Sequence, residues 1–452
     1  MTQSQRRRLK FRISIRPMSP VHIGIGNEFL ARGAYHLYPD KDRPTHLALV
    51  APRPLASRLL DQFGEQANFA ATIQKRMQAD DYPDAIARDI ENGKLALRRM
   101  SVHPGARPHL KDEGRNGGLK VITALPNGLP YIPGSSVKGA LRTAWLDWQV
   151  AQAGAYDRFV KGVKQADLRR AKSADDNLLK RKQLAEGFMG VSSKSQPNEQ
   201  NRDLFRAVQV SDLMPDRTEN LTRVYAVLAM SYQSGDNGFA RPANNGSAGA
   251  QAWECLNPDA GATYTGTVTV DLDLLDAMAT QDPDAQNLKA ALAKADVWQD
   301  ALAGYGSRVY GTERQHYDEV LADLPNQSRE GIQLWGEGGL VLDWVLASQQ
   351  EDLQEKLFPL GMGTGLLAHS LLGVMAPQEI GGKLGDEEGR GSTLMKDVLD
   401  TGIRRDSRAY ADPEFPAPKS RRVVGDFPAR RVNEMRAERP LGWTELTLTQ
   451  TK

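Results

Sequence analysis

Two cations four positions apart, Lys138 and Arg142, stand in the stretch "GLPYIPGSSVKGALRTAW" (128–145), just behind two prolines, Gly134, Ser135 and Ser136. Residues four apart share a helix face. The apolar positions Val137, Ala140, Leu141, Ala144, Trp145 and Trp148 recur at the three-and-four spacing of one helix. The stretch therefore predicts a helix from Val137, with Ser135 or Ser136 accepting a hydrogen bond from an early amide. A helix start already carries partial positive charge and unpaired amides. Two further cations are unfavourable there unless amides, hydroxyls and both side chains together hold an anion. Gly134 and Gly139 would let a backbone come close. The plain alternative is a solvated face on which both cations reach water. The pattern GxxxxGK[ST] is absent, so this is not a nucleotide P-loop.

A second glycine cluster, "GMGTG", places Gly361, Gly363 and Gly365 ahead of the apolar run "LLAHSLLG". A glycine-led helix start suits phosphate or an RNA backbone, and equally a tight turn. In "HIGIG", His22 sits beside Gly24 and Gly26 without the spacing of a dinucleotide fingerprint. His22 can touch RNA, act as a general acid, or serve only structure. The seven histidines are scattered, and no HExxH set occurs. The carboxylates of "DLDLLD" and "QADDYPD" fit a strand or a helix edge without metal. No Ser–His–Asp set can be assigned, so the expectation is no catalytic residue, no metal ligand and no cofactor.

Phosphate-binding capacity must come from local clusters, because the net charge over 452 residues is only +2. Arg6–Arg8, Lys10, Arg12 and Arg16 precede any acid, the first being Glu28. Residues 401–440 hold ten Lys/Arg against six Asp/Glu, Arg421 and Arg422 among them. Such clusters fit neutralisation of a phosphate backbone, or a solubilising surface. A single cysteine, Cys255, excludes an internal disulfide and a cysteine-rich zinc site, which favours a reducing, cytoplasmic compartment. No uncharged run approaches the roughly 20 residues of a membrane helix. The N-terminus is basic like a signal peptide but lacks an apolar middle.

Around these residues the chain alternates strands and helices. "KFRISIRPM" has the period-2 pattern of a half-buried strand. "AYHLYP" and "HLALVA" read as a hairpin across "DKDRP", and residues 55–100 read as helical. Strands are expected at "LFRAVQVSD", "LTRVYAVLAM", "TYTGTVTVDLDL" and "GWTELTLTQ", and a helix around 285–303. Residues 155–187 read as a basic helical insertion, 192–201 as a polar loop, and 401–440 as irregular. This gives an N-terminal region 1–150, an insertion 151–203, and a β-rich region 204–452.

"GLPYIPGSSVKGALR" resembles the central motif of the RAMP superfamily of CRISPR-associated RNA-binding proteins. Other segments fall in that superfamily's order: "SPVHIGIGNEF", "RDLFRAVQVSD", "ECLNPDAGATYTGTVTVDL", "FPLGMGTGLLAHSLL" and "RPLGWTELTL". Together they anchor most of the chain from about residue 10 to residue 449; the insertions match nothing. The layout from the first glycine turn straight into a hairpin is most similar to subunits that cap type III-A interference complexes at the 3′ end of the guide RNA. The repeated backbone subunits carry a target-cleaving aspartate after that turn, where this chain has Asn27 and Glu28.

The resemblance implies an α+β fold with a ferredoxin-like, RRM-like core, in two related α/β halves with helical and loop insertions. It implies a non-catalytic RNA-binding subunit that binds crRNA, with target RNA nearby. The implied partners are a backbone RAMP subunit, a small helical subunit and host nucleases that trim the crRNA 3′ end, with no membrane. The motifs carry Gly134, Ser135, Ser136, Lys138, Gly139 and Arg142 over as RNA contacts, together with His22, Gly24, Gly26, Gly361, Gly363 and Gly365. Arg421 and Arg422 join them on charge alone. The alternatives are a metal-independent endoribonuclease of the same superfamily, with His22 as general acid, and a backbone subunit.

Overall fold

Alternation at the first strand sets the architecture: Leu9, Phe11, Ile13 and Ile15 point inward while Arg8, Lys10, Arg12 and Arg16 face solvent. The computed structural model describes residues 7–152 (except 25, 27, 28, 40–43, 66, 67 and 111–117) and 203–322 (except 232–240, 243–248 and 279–282). It also describes 341, 344, 347, 353, 355–365, 368, 420–428 and 434–451.

The strands are β1 (Arg8–Pro17), β2 (Tyr35–Tyr38), β3 (His46–Val50), β4 (Ala96–Val102), β5 (Leu119–Lys120), β6 (Val208–Val210), β7 (Met214–Pro215) and β8 (Thr222–Ser231). They continue as β9 (Arg241–Pro242), β10 (Gln251–Leu256), β11 (Tyr264–Asp271), β12 (Leu357–Pro359), β13 (Ser420–Asp426), β14 (Arg436–Pro440) and β15 (Trp443–Thr451). The helices are α1 (Pro52–Phe63), α2 (Phe69–Ala79), α3 (Asp84–Glu91), α4 (Gly134–Ala151), α5 (Leu272–Ala277), α6 (Pro283–Leu292) and α7 (Ala295–Ala322).

A six-stranded sheet runs β12-β15-β1-β11-β6, with β7 also on β11. A nine-stranded sheet runs β14-β13-β8-β4-β3-β2, with β10 and β9 on β8 and β5 on β10. Both sheets draw strands from before and after residue 150, so that boundary marks the end of α4 rather than a break between sheets. The large core unites inward residues of β1, β11 and β15 with α4 and α7, where Trp145 meets Trp298 edge-on at 5.0 Å. A satellite core of Leu55, Leu59, Phe63, Ile86 and Ile90 holds the helices after β3. The fold is mixed α+β.

Most expected strands form, with three corrections. Residues 96–100, the end of the stretch expected to be helical, belong to β4, whose alternation is masked by Arg98 and Arg99. Residues 204–207 are a 3₁₀ turn capped by Asp203, so the "LFRAVQVSD" strand shortens to β6. The stretch 401–440 contains β13 and β14, antiparallel to each other. The insertion expected over 155–187 and the loop at 192–201 lie outside the described residues, as does most of the run after Gly365.

Candidate nucleic-acid interface

Helix α4 begins at Gly134 with Pro133 as its N-cap residue, and no side chain of the helix caps it. The expected serine cap is thus replaced. The Gly134 N–H donates to Asp212 Oδ1 at 2.8 Å, from the "VSD" end of β6. Glycine is needed here because a Cβ would stand 2.3 Å from the Val210 carbonyl oxygen and 2.6 Å from that of Ser211. About two turns on, Arg142 donates to Asp203 from Nε at 3.0 Å, with Nη2 at 2.9 Å. The anion that Lys138 and Arg142 require at this helix start is therefore supplied within the chain by Asp203 and Asp212. Lys138 makes no ion pair among the described residues. Burial draws its ammonium below the ordinary lysine pKa, against the pull of Asp203. Ser135 is exposed, and Gly139 faces open space.

His22 is fully buried rather than on the surface. Its Nδ1–H donates to the Glu254 carbonyl at 2.7 Å, and its ring lies 4.8 Å from Trp253. That bond fixes the proton on Nδ1 and leaves Nε2 without a partner, beside Gly24. Burial, with the charge of Lys120 adding to it, pulls the imidazole pKa down to about 4. At neutral pH the ring is uncharged, with no proton on Nε2 to give, and the side chain is shut off from solvent. Burial and the low pKa count against the general-acid role and the direct RNA contact expected of His22.

Around His22 the structure collects segments far apart in sequence. The His22 carbonyl accepts from Met362 N–H at 2.7 Å, Val21 pairs with Leu256, and Gly24 bridges to Ile122. Gly361 and Gly363 have positive φ and packed surroundings: a Cβ on Gly361 would lie 2.6 Å from the His22 carbonyl oxygen, and one on Gly363 would lie 2.2 Å from Leu441. Gly26 and Gly365, by contrast, have open space beside them.

The C-terminal arginines divide. Arg421 is buried and donates to Glu313 of α7 at 2.8 Å, so it belongs to an internal ion pair instead of a surface patch. Arg422, on the next residue of β13 and hence the other face, is exposed. Its guanidinium lies 5.9 Å from the Trp253 ring, and Lys120 Nζ lies 4.6 Å from the same ring. Burial and the Arg422 charge both lower the Lys120 pKa. Neither cation has an ion pair among the described residues. Glu254, next to Trp253 in β10, is fully buried and already held: it accepts from Arg98 Nε at 2.7 Å and Nη2 at 2.5 Å, and from Ile122 N–H at 3.2 Å. Two like charges thus share one indole next to the glycine turns without an ion-pair partner among the described residues; Lys120 is buried, its Nζ donating to Met362 Sδ at 3.2 Å, and Arg422 is the exposed member of the pair. Sequence reasoning singled out Arg422 but missed Lys120 and Trp253, because nothing local links residues 120, 253 and 422. Among the described residues, no group of three His, Cys, Asp or Glu is placed to hold a metal ion, and no helix is long and apolar enough to cross a membrane.

Two sheets sharing a core, with glycine turns gathered at one buried histidine and two cations on one indole that have no ion pair among the described residues, define an α+β protein. The description "RAMP superfamily" matches residues 14–325, well over half of the chain, and the chain belongs to that superfamily. It is similar to the CRISPR system Cms protein Csm5 of Mycobacterium tuberculosis strains CDC 1551 and H37Rv. Identity to each is 27% over 226 residues, covering 47% of this chain and 56% of the relative. The match therefore spans little more than half the length of those relatives. Among solved structures, a chain of a Csm-crRNA-target RNA ternary complex of a type III-A CRISPR-Cas system aligns with TM-score 0.57 at 19% identity. That alignment covers 97% of this chain and 100% of that one. T.onnurineus Csm5 aligns with TM-score 0.50 at 17% identity, over 96% and 99% of the two chains. These two likenesses concern the fold.

Proposed function

We propose that this chain is a non-catalytic subunit of a type III-A CRISPR effector complex that binds and caps the 3′ region of the crRNA. The observation that carries this reading is the pair Lys120 and Arg422 on Trp253, which has no ion pair among the described residues and stands beside Gly24, Gly26 and the turn Gly361–Gly365. A ribose-phosphate strand passing there would neutralise both charges and meet exposed backbone at Gly26 and Gly365. Lys138, Ser135, Ser136 and Gly139 extend the path along the start of α4, and Arg142 joins when Asp203 releases it. Likeness to the Csm5 proteins supports the same placement.

On this reading the core is a pair of ferredoxin-like halves, and the subunit works in the cytoplasm. Its neighbours are a backbone RAMP subunit and a small helical subunit, and it presents the crRNA 3′ end to trimming nucleases. The test is fluorescence anisotropy with a single-stranded repeat-derived RNA over a salt series. Lys120→Ala and Arg422→Ala should each weaken binding and flatten the log–log salt slope by about 0.7. Unchanged affinity and slope in both variants would remove the reading.

A further inference from the structure

Helix α2 has no buried residue, although Phe69, Ile73 and Met77 form an apolar stripe at four-residue spacing. Facing it, α1 leaves Leu60 46% exposed, and Phe69 is 37% exposed. The space between the two helices is a groove of about 480 Å³, walled by these side chains together with Ala56 and Ala70. Solvating such a surface is unfavourable, and contiguous exposed apolar faces mark interaction sites.

Its charge narrows the occupant. Arg32 is the one charged residue among those lining the groove, and no acid lines it. The Arg32 Nε is buried without a hydrogen-bond partner. Gly33, at φ +99°, lets the loop that carries this arginine come close to α2, because a Cβ there would stand 2.9 Å from the Met77 carbonyl oxygen. A trough between two helices, about three turns long, apolar along its floor and cationic at one edge, matches a helix in shape and an acid in charge.

We propose that the α1–α2 groove docks an amphipathic helix of a partner protein, one that lays a stripe of large aliphatic side chains between Leu60 and Ile73 and sets a carboxylate against Arg32. The site is separate from the RNA-facing residues and does not depend on the RNA reading.

The test uses the whole chain and a fluorescein-labelled amphipathic peptide of about four helical turns, with Leu along one stripe and Glu beside it, plus a twin with Lys in place of every Glu. The Glu peptide should bind saturably and the Lys twin at least about tenfold more weakly. Leu60→Glu and Ala70→Glu alter exposed positions, so the thermal midpoint should hold while Glu-peptide affinity falls at least about tenfold. Arg32→Glu should reverse the preference between the twins. The proposal is overturned if the two peptides bind alike, if neither binds, or if binding survives both Leu60→Glu and Ala70→Glu. It is equally overturned if the groove instead joins two copies of this chain, seen as a dimer that Leu60→Glu dissociates, or adheres to anionic vesicles in preference to the peptide.

Discussion

Arg142 and Asp203 are joined across 61 positions of sequence, both nitrogens of the guanidinium edge converging on one carboxylate oxygen, Oδ2, at 3.0 and 2.9 Å. The other oxygen, Oδ1, accepts from Phe205 N–H at 2.9 Å and starts the 3₁₀ turn. Asp203 thus both neutralises Arg142 and caps the 3₁₀ turn; on the proposed RNA-binding reading, it competes with a phosphate for that cation.

Asp203→Asn separates these roles, since the amide oxygen keeps the turn capped while the negative charge is lost. Single-stranded RNA should bind this variant severalfold more tightly, with a salt slope steeper by about 0.7. Arg142→Ala should change affinity little in the wild-type background and abolish the gain in the Asp203→Asn background. Anisotropy titrations at several salt concentrations read both effects.

The start of α4 depends on Gly134 and Asp212. Asp212→Ala removes the only side-chain acceptor for the Gly134 amide and should lower unfolding free energy by about 1–2 kcal/mol in urea denaturation. Gly134→Ala should be worse, above about 3 kcal/mol, because its methyl group meets two backbone carbonyls that cannot rotate away. Ser135→Ala, at an exposed position that caps nothing, should stay within about 0.5 kcal/mol of wild type.

Arg98 and Glu254 form a bidentate pair in which the acid is wholly out of water. Arg98→Met leaves that carboxylate buried without its cation and should cost about 3–5 kcal/mol. Adding Glu254→Gln should recover much of the loss, because the neutral amide still accepts from Ile122 N–H. A double-mutant cycle by chemical denaturation measures the coupling.

The sign of the His22 contribution follows from its pKa of about 4, below the ordinary value of 6.5. Above pH 6.5 the ring is neutral in folded and unfolded chains alike, and its full contribution to stability is present. As pH falls from 6.5 through 4 the unfolded chain takes up the proton first, so stability is lost, by about 3 kcal/mol in total. His22→Gln should remove that share of the acid sensitivity. Urea midpoints for the two proteins should therefore converge as the pH is lowered from 7 to 4.5.

What was legible in the sequence follows from range. The alternation of β1 and the stripe Val137, Leu141, Ala144 and Trp145 are local patterns, and both elements form where their periods place them. β4 was hidden because arginines fill consecutive positions 98 and 99, one of them pointing inward to Glu254. Buried charge breaks the pattern that hydrophobicity would show. The candidate site was legible as separate glycine motifs, while its pairings were not: Asp212 with Gly134, Asp203 with Arg142, and Lys120 with Arg422 each join distant segments. The same range effect misplaced His22 and Arg421, whose basic or glycine-rich neighbours read as surface and whose partners, Glu254 and Glu313, lie more than a hundred positions away.

The middle of the six-stranded sheet is closed by β15, which lies between β1 and β12, and Trp443 N–H donates to the Ser19 hydroxyl across 424 positions of sequence. Bringing such remote segments together requires loop closure over nearly the whole polypeptide before the sheet's contacts can reward it. During synthesis β1 must therefore wait with one hydrogen-bonding edge bare until β15 has left the ribosome. Loss of that one strand would leave β12 unpaired and one hydrogen-bonding edge of β1 bare, a template for pairing with another chain.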